Sequence, residues 1–226
     1  LFPKDLSEFY QHSVHLIYAV IIAQTYSIVS DIFIPLNKLD TYDGAVNAIA
    51  LGFAYFVIIS GWIGYFKSIK RDPHKGKAGN ARFAIDLVIL FVFYYLLSLA
   101  NPINKASYWY TFVWVLPLLF ALFLAWDCLK YHEYIHERAS EKNYRKERLK
   151  ITIVYFSIFL IQAVLYYFAI ADHPDLTWQG HVAWNLIFIP SSFLFIYLYR
   201  RRKWKTGNKA RGANRTKKAN NSTSTV

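Results

Sequence analysis

Six stretches of this chain run for roughly 18–23 residues with scarcely a charge: about Val14–Leu36, Ala45–Phe66, Phe83–Ala100, Tyr108–Trp126, Ile151–Ala171 and Val182–Tyr199. At about 1.5 Å per residue, a helix of that length crosses a hydrocarbon core of about 30 Å, and a soluble domain has no place to bury six of them. Backbone groups in lipid must pair internally, which leaves helices or closed barrels. Two-residue alternation is absent and the runs are twice the length of a barrel strand, so helices remain. The expected fold is all-α, a polytopic membrane protein built as a bundle of six transmembrane helices. Its hydrophobic fraction of 55% agrees, since soluble domains hold roughly 45–50%.

A formal net charge of +12 would suit a nucleic-acid binder, but the placement of the charge says otherwise. All but Lys38 and Lys105 of the 26 Lys and Arg precede the first span, fill the loops after the second and fourth, or follow the sixth. The positive-inside rule then places both termini in the cytoplasm. Asp40, Asp43, Asp172 and Asp175 lie in the outer loops. Tyr108, Trp109, Trp178 and Trp184 are expected to form an outer aromatic belt, and Trp62, Tyr65, Trp126 and Tyr131 an inner one. The chain opens at Leu1 and holds no methionine, so residue 1 is expected to be a trimmed or renumbered start. A cleaved signal would leave the N-terminus outside, against the charge bias.

Residues 1–204 form the expected transmembrane domain. Within it, residues 127–150 carry no Gly or Pro and pair Glu141 with Arg145 four apart, which predicts a helical cytoplasmic extension of the fourth span. Arg71–Ala81, with Pro73, Gly76 and Gly79, reads as a mobile basic loop. Tyr94-Tyr95 and Tyr166-Tyr167 stand at equal offsets before Pro102 and Pro174, the pattern of a hairpin repeated in parallel. Pro117 and Pro190 in the helices that follow predict kinks.

Residues 205–226 are too polar to offset their ordering entropy and read as a disordered basic tail. The basic run of Arg200, Arg201, Arg202, Lys203 and Lys205 is expected to bind anionic lipid headgroups. Nucleic acid is not an expected partner, because only Trp204 stands among these bases.

His132-Glu133-Tyr134-Ile135-His136 fits the pattern H-E-x-x-H. Residues four apart share a helical face, so His132 and His136 could both hold Zn²⁺ while Glu133 activates a water. No spacing selects a third ligand, and the motif sits at headgroup depth rather than in a dry pocket. Zinc is the one cofactor the sequence admits. The single Cys128 excludes an intrachain disulfide and reads as a buried packing thiol.

Polar groups inside the bilayer point to function, because burying them is costly. Here the pore-lining candidates are Gln24, Thr25, Ser27 and Asp31 on the first span, Gln162 on the fifth and Asn185 on the sixth. Interhelical hydrogen bonding accounts for them equally well. Asp86 reads as the partner of Arg82 four residues earlier, and Asp127 as an interfacial acid. No Lys or Arg lies at mid-membrane, which leaves no retinal Schiff base and no voltage sensor. The six-helix topology with both ends inside resembles that of endolysosomal-type potassium channels, but their Phe-Ser-Asp opening is replaced by Leu16-Ile17-Tyr18, and no family is assigned. The Thr-Val-Gly-Tyr-Gly filter of ordinary potassium channels is also missing.

Three classes of function stay open. The first is a channel or facilitator for small ions or solutes lined by the first helix. The second is a non-catalytic subunit of a larger membrane complex, and the third a membrane metallopeptidase. Homo-oligomers or hetero-complexes of membrane subunits are the expected assemblies.

Overall fold

The computed structural model describes residues 3–34, 42–71, 74, 76–99, 108–133, 139–168 and 187–206. Regular structure among them is all helical: α1 (Pro3–Phe33), α2 (Tyr42–Arg71), α3 (Gly76–Ser98), α4 (Tyr108–Glu133) and α5 (Ala139–Tyr166), with α6 over residues 187–206. Five helices contain a stretch long and apolar enough to cross a bilayer: Glu8–Ser30, Ala48–Lys70, Lys77–Ser98, Val113–Glu133 and Lys142–Tyr166. These correspond to about 32–38 Å of helix.

The surface of the bundle matches that length. Tyr26 is 80% and Phe91 74% exposed, and Leu16, Ile161 and Ile187 also face outward. A helix apolar on every side belongs in lipid rather than in water. Five helices apolar enough to cross and an apolar outer surface are the pattern of a multi-pass membrane protein.

The helices outlast the apolar runs. α2 continues to Arg71, α6 to residue 206, and α3 starts at Gly76, well before Phe83. Gly76 and Gly79, expected in a mobile loop, instead form the first turn of α3. The reason at Gly79 is contact: a Cβ there would stand 2.8 Å from the carbonyl carbon of His74, so only glycine lets that backbone lie against the helix. The expected cytoplasmic extension is helical up to Glu133 and again from Ala139. Residues 134–138, like the tail beyond residue 206, lie outside the described residues.

α4 packs along α3 on one side and α5 on the other, while α1 lies against α2 and α3. α6 fills the space between α2, α4 and α5. Its Phe193 meets the edge of Phe53 at 4.7 Å, Tyr199 meets Phe120 at 4.9 Å and Tyr155 at 5.5 Å, and Phe195 meets Phe159 at 6.2 Å. Leu90, Phe93, Leu96, Leu97, Leu116 and Phe120 are buried almost completely.

Two expectations from pattern differ in the fold. The paired tyrosines of the proposed repeat agree at one position and differ at the other: Tyr95 and Tyr167 are both exposed, whereas Tyr94 is exposed and Tyr166 is buried. Tyr65 and Trp126, read as members of an inner belt, point into the bundle and are buried. The ends of the helices are crowded enough there to claim large rings for packing. Pro117 is buried inside α4, and Pro190 is exposed on α6.

Candidate functional site

One end of the bundle gathers the end of α2, the start of α3, the end of α4, the start of α5 and the end of α6, and with them most of the charge. Because the helices run on past their apolar stretches, these charges lie between helices as well as around them. Asp127 of α4 is buried and accepts from Lys203 Nζ of α6 at 2.6 Å and from Thr152 Oγ1 of α5 at 2.5 Å. One carboxylate thus ties three helices. Arg82 of α3, fully buried, donates to Glu133 of α4. Lys130 Nζ donates to Ser68 Oγ of α2 at 2.7 Å. The indole of Trp126 has Arg82 at 4.8 Å and Lys130 at 5.0 Å from its ring centre, a cation–π arrangement that replaces part of the lost hydration.

Asp86 of α3 is also buried, and its Oδ2 lies 3.2 Å from His74 Nε2, within ion-pair distance but off the line of a hydrogen bond. The expected Arg82–Asp86 pairing is thereby redirected. Arg82 reaches across to Glu133, and Asp86 faces the imidazole that precedes α3. His74 is held by the edge of Tyr10, which itself stacks on Phe83 at 4.0 Å.

Between these pairs lies a cavity of about 60 Å³. Every helix contributes to its wall: Tyr18 from α1, Gly64 and Tyr65 from α2, Asp86 from α3, Phe123 and Trp126 from α4, Arg148 from α5, and Arg200 and Lys203 from α6. Arg148 donates to Tyr144 Oη at 2.8 Å. Arg200 reaches into the space beside Gly64, where a Cβ would stand 2.5 Å from its Nη1. Farther from the basic end, Phe93 closes against Gly61, whose Cβ would be 2.7 Å from the ring, and Tyr18 lies 6.0 Å from Phe93. Phe120 stacks on Phe159 at 4.5 Å in the same layer.

Of the pore-lining candidates, the three whose side chains are described fall elsewhere. Gln24 is exposed on α1. Thr25 is buried and its hydroxyl donates to the carbonyl of Ile22 one turn back. Gln162 Nε2 donates to Ser191 Oγ at 2.8 Å and Ser192 Oγ at 3.2 Å, linking α5 to α6. None of these three lines the cavity. The side chains of Ser27 and Asp31, and Asn185 as a whole, lie outside the described residues.

Of the five bases expected at lipid headgroups, Arg201, Arg202 and Lys205 are exposed. Lys203 is buried against Asp127, which corrects the expectation for it, and Arg200 turns to the cavity. His132 is exposed at the end of α4, while Glu133, the base of the zinc motif, is already engaged by Arg82. His136 lies outside the described residues. Cys128 is exposed, which corrects the expectation of a buried packing thiol.

The chain matches no protein-family model, no curated protein and no solved structure.

A helical-phase signal was present in the sequence for the inward bases. Ser192, Ile196, Tyr199 and Lys203 follow one another at steps of four, three and four, and all are buried. Lys203 continues a core stripe, which its position in a basic run conceals.

Proposed function

We propose that the chain spans the membrane six times with both termini in the cytoplasm and acts as a facilitator for small ions or solutes. In this reading, the cavity at the basic end is the cytoplasmic vestibule, and the layer around Phe93 is its gate. The observation that carries it is the wall: all six helices of a single chain supply side chains to one charged cavity. A polar cavity inside an apolar bundle is costly, and solute sites in membrane bundles are built from such convergent groups. Gly61 lets Phe93 seal the space on the far side, so a shift of α2 against α3 would open it. The conduit is thus bounded by all six helices instead of being lined by the first helix alone. Arg201, Arg202 and Lys205 remain free to meet anionic headgroups and hold this orientation.

Flux into liposomes holding the purified protein tests the reading, with a panel of K⁺, Na⁺, H⁺, Cl⁻ and phosphate. Phe93→Ala should raise flux of the permeant species and Gly61→Leu should abolish it. Well-folded protein that passes none of these ions, with or without Phe93→Ala, would overturn the proposal. Orientation is checked separately: Thr206→Cys in a Cys128→Ser background should react with an impermeant maleimide only from the cytoplasmic side.

A second reading, a subunit of a larger complex, is favoured by the groove between α5 and α6. Its walls include Ile161, Leu165, Ile187 and Phe195, it holds about 350 Å³, and at its floor Gln162 Oε1 is buried without a partner. A stable set of unlike chains copurifying in mild detergent, and lost with Gln162→Leu, would support it.

A further inference from the structure

We infer that the cavity at the basic end is a binding site for a tetrahedral oxyanion, a phosphoryl group, received by Arg200. This rests on the reading of the cavity as a solute site and names the class of that solute.

Arg200 differs from the other inward-facing cations near it. Arg82 has Glu133, Lys203 has Asp127, Lys130 has Ser68 and Arg148 has Tyr144. Among the described residues, Arg200 has no acceptor: its Nε is buried and unbonded, and its guanidinium lies over the rings of Phe123 and Tyr199 at 5.3 and 5.4 Å. Aromatic faces stabilise a cation but accept no N–H in the plane of the guanidinium, so the donor edge is left for something else. Tyr65 Oη, also in the cavity wall, is likewise buried without a partner.

The field favours an anion. Around the cavity stand Arg82, Lys130, Arg148, Arg200 and Lys203, against Asp86, Asp127 and Glu133. The excess is two positive charges, in a region where burial makes an unbalanced charge costly. A planar guanidinium offers two parallel N–H groups to an oxyanion, the geometry that suits phosphate. A cavity of about 60 Å³ admits a phosphoryl group and excludes the body of a larger ligand. Gly64 completes the arrangement, since any side chain there would occupy the place of Nη1. Asp86 on the facing wall limits the charge the site accepts and is where a protonated oxygen of the anion would donate.

The phosphoryl group can arrive as free phosphate or as the headgroup of an anionic lipid, since the cavity lies at the end of the bundle where headgroups are. The test uses the full chain in nanodiscs of phosphatidylcholine, with inorganic phosphate as probe by titration calorimetry, and in parallel nanodiscs containing phosphatidic acid without added phosphate. Free phosphate bound in pure phosphatidylcholine supports a soluble anion. Thermal stabilisation by phosphatidic acid alone supports a lipid headgroup. In either arm, Arg200→Gln should weaken binding by about tenfold or more and Gly64→Ala should weaken it while leaving the fold intact, and in the phosphate arm Lys146→Gln, an exposed base on α5, should change nothing. Binding that Arg200→Gln and Gly64→Ala leave unaltered, or no response to either phosphoryl source, would overturn the inference. Equilibrium binding needs no passage, so phosphate bound without flux sinks the facilitator reading alone, and flux without phosphate binding sinks this one alone.

Discussion

Near Phe120, α4 meets α5 and α6 ring on ring, with Phe159 stacked at 4.5 Å and Tyr199 edge-on at 4.9 Å. About two turns later along α4, the same three helices meet through one carboxylate, Asp127, shared by Thr152 and Lys203. The first kind of contact is a sum of many small dispersion terms, so it degrades gradually when a group is changed. The second depends on each partner, because removing one leaves the other as a buried, uncompensated charge. The apolar half of the bundle can therefore tolerate change. The charged half holds fixed positions, which is what a site requires.

The largest effect expected is at Arg82 and Glu133. Glu133→Gln removes the carboxylate that a fully buried guanidinium faces and should lower stability by about 3–5 kcal/mol in reversible unfolding from detergent micelles. Asp127→Asn should cost about 3 kcal/mol, and adding Lys203→Met should recover most of the loss. Failure of that rescue would show that Asp127 acts through Thr152 rather than through charge. Phe120→Leu, in the ring-on-ring layer, should cost about 1 kcal/mol. If it costs as much as Asp127→Asn, the contrast between the halves collapses. Smallest is Gln162→Leu, at about 0.6 kcal/mol, as expected of a hydrogen bond between helices in lipid.

Much of the architecture was legible because lipid imposes a length on every apolar run, and five of those runs are helices long enough to cross. The ends were not legible in the same way. A window of hydropathy stops at the first charge, yet backbone hydrogen bonding carries α2 through Lys67, Lys70 and Arg71 and lets α3 begin at Gly76. The site was missed for a related reason. Arg200 and Lys203 were grouped with Arg201 and Arg202 by position in sequence, whereas helical phase separates them: Lys203 follows the buried stripe of Ile196 and Tyr199. Polar residues at mid-span drew attention because they are rare there, and Thr25 and Gln162 turn out to spend their hydrogen bonds on the neighbouring turn or helix. No pattern in the sequence pairs Asp86 with His74 or Arg82 with Glu133, since the first depends on how the segment before α3 folds back on it and the second on how α3 meets α4.

The Asp127 junction also sets an order of events during synthesis. Asp127 and Thr152 leave the ribosome well before Lys203, so the acid enters the bilayer without its cation and waits through the insertion of α5 and most of α6. Closure of this one ion pair requires α6 to be in place, and a chain interrupted before Lys203 would never reach it.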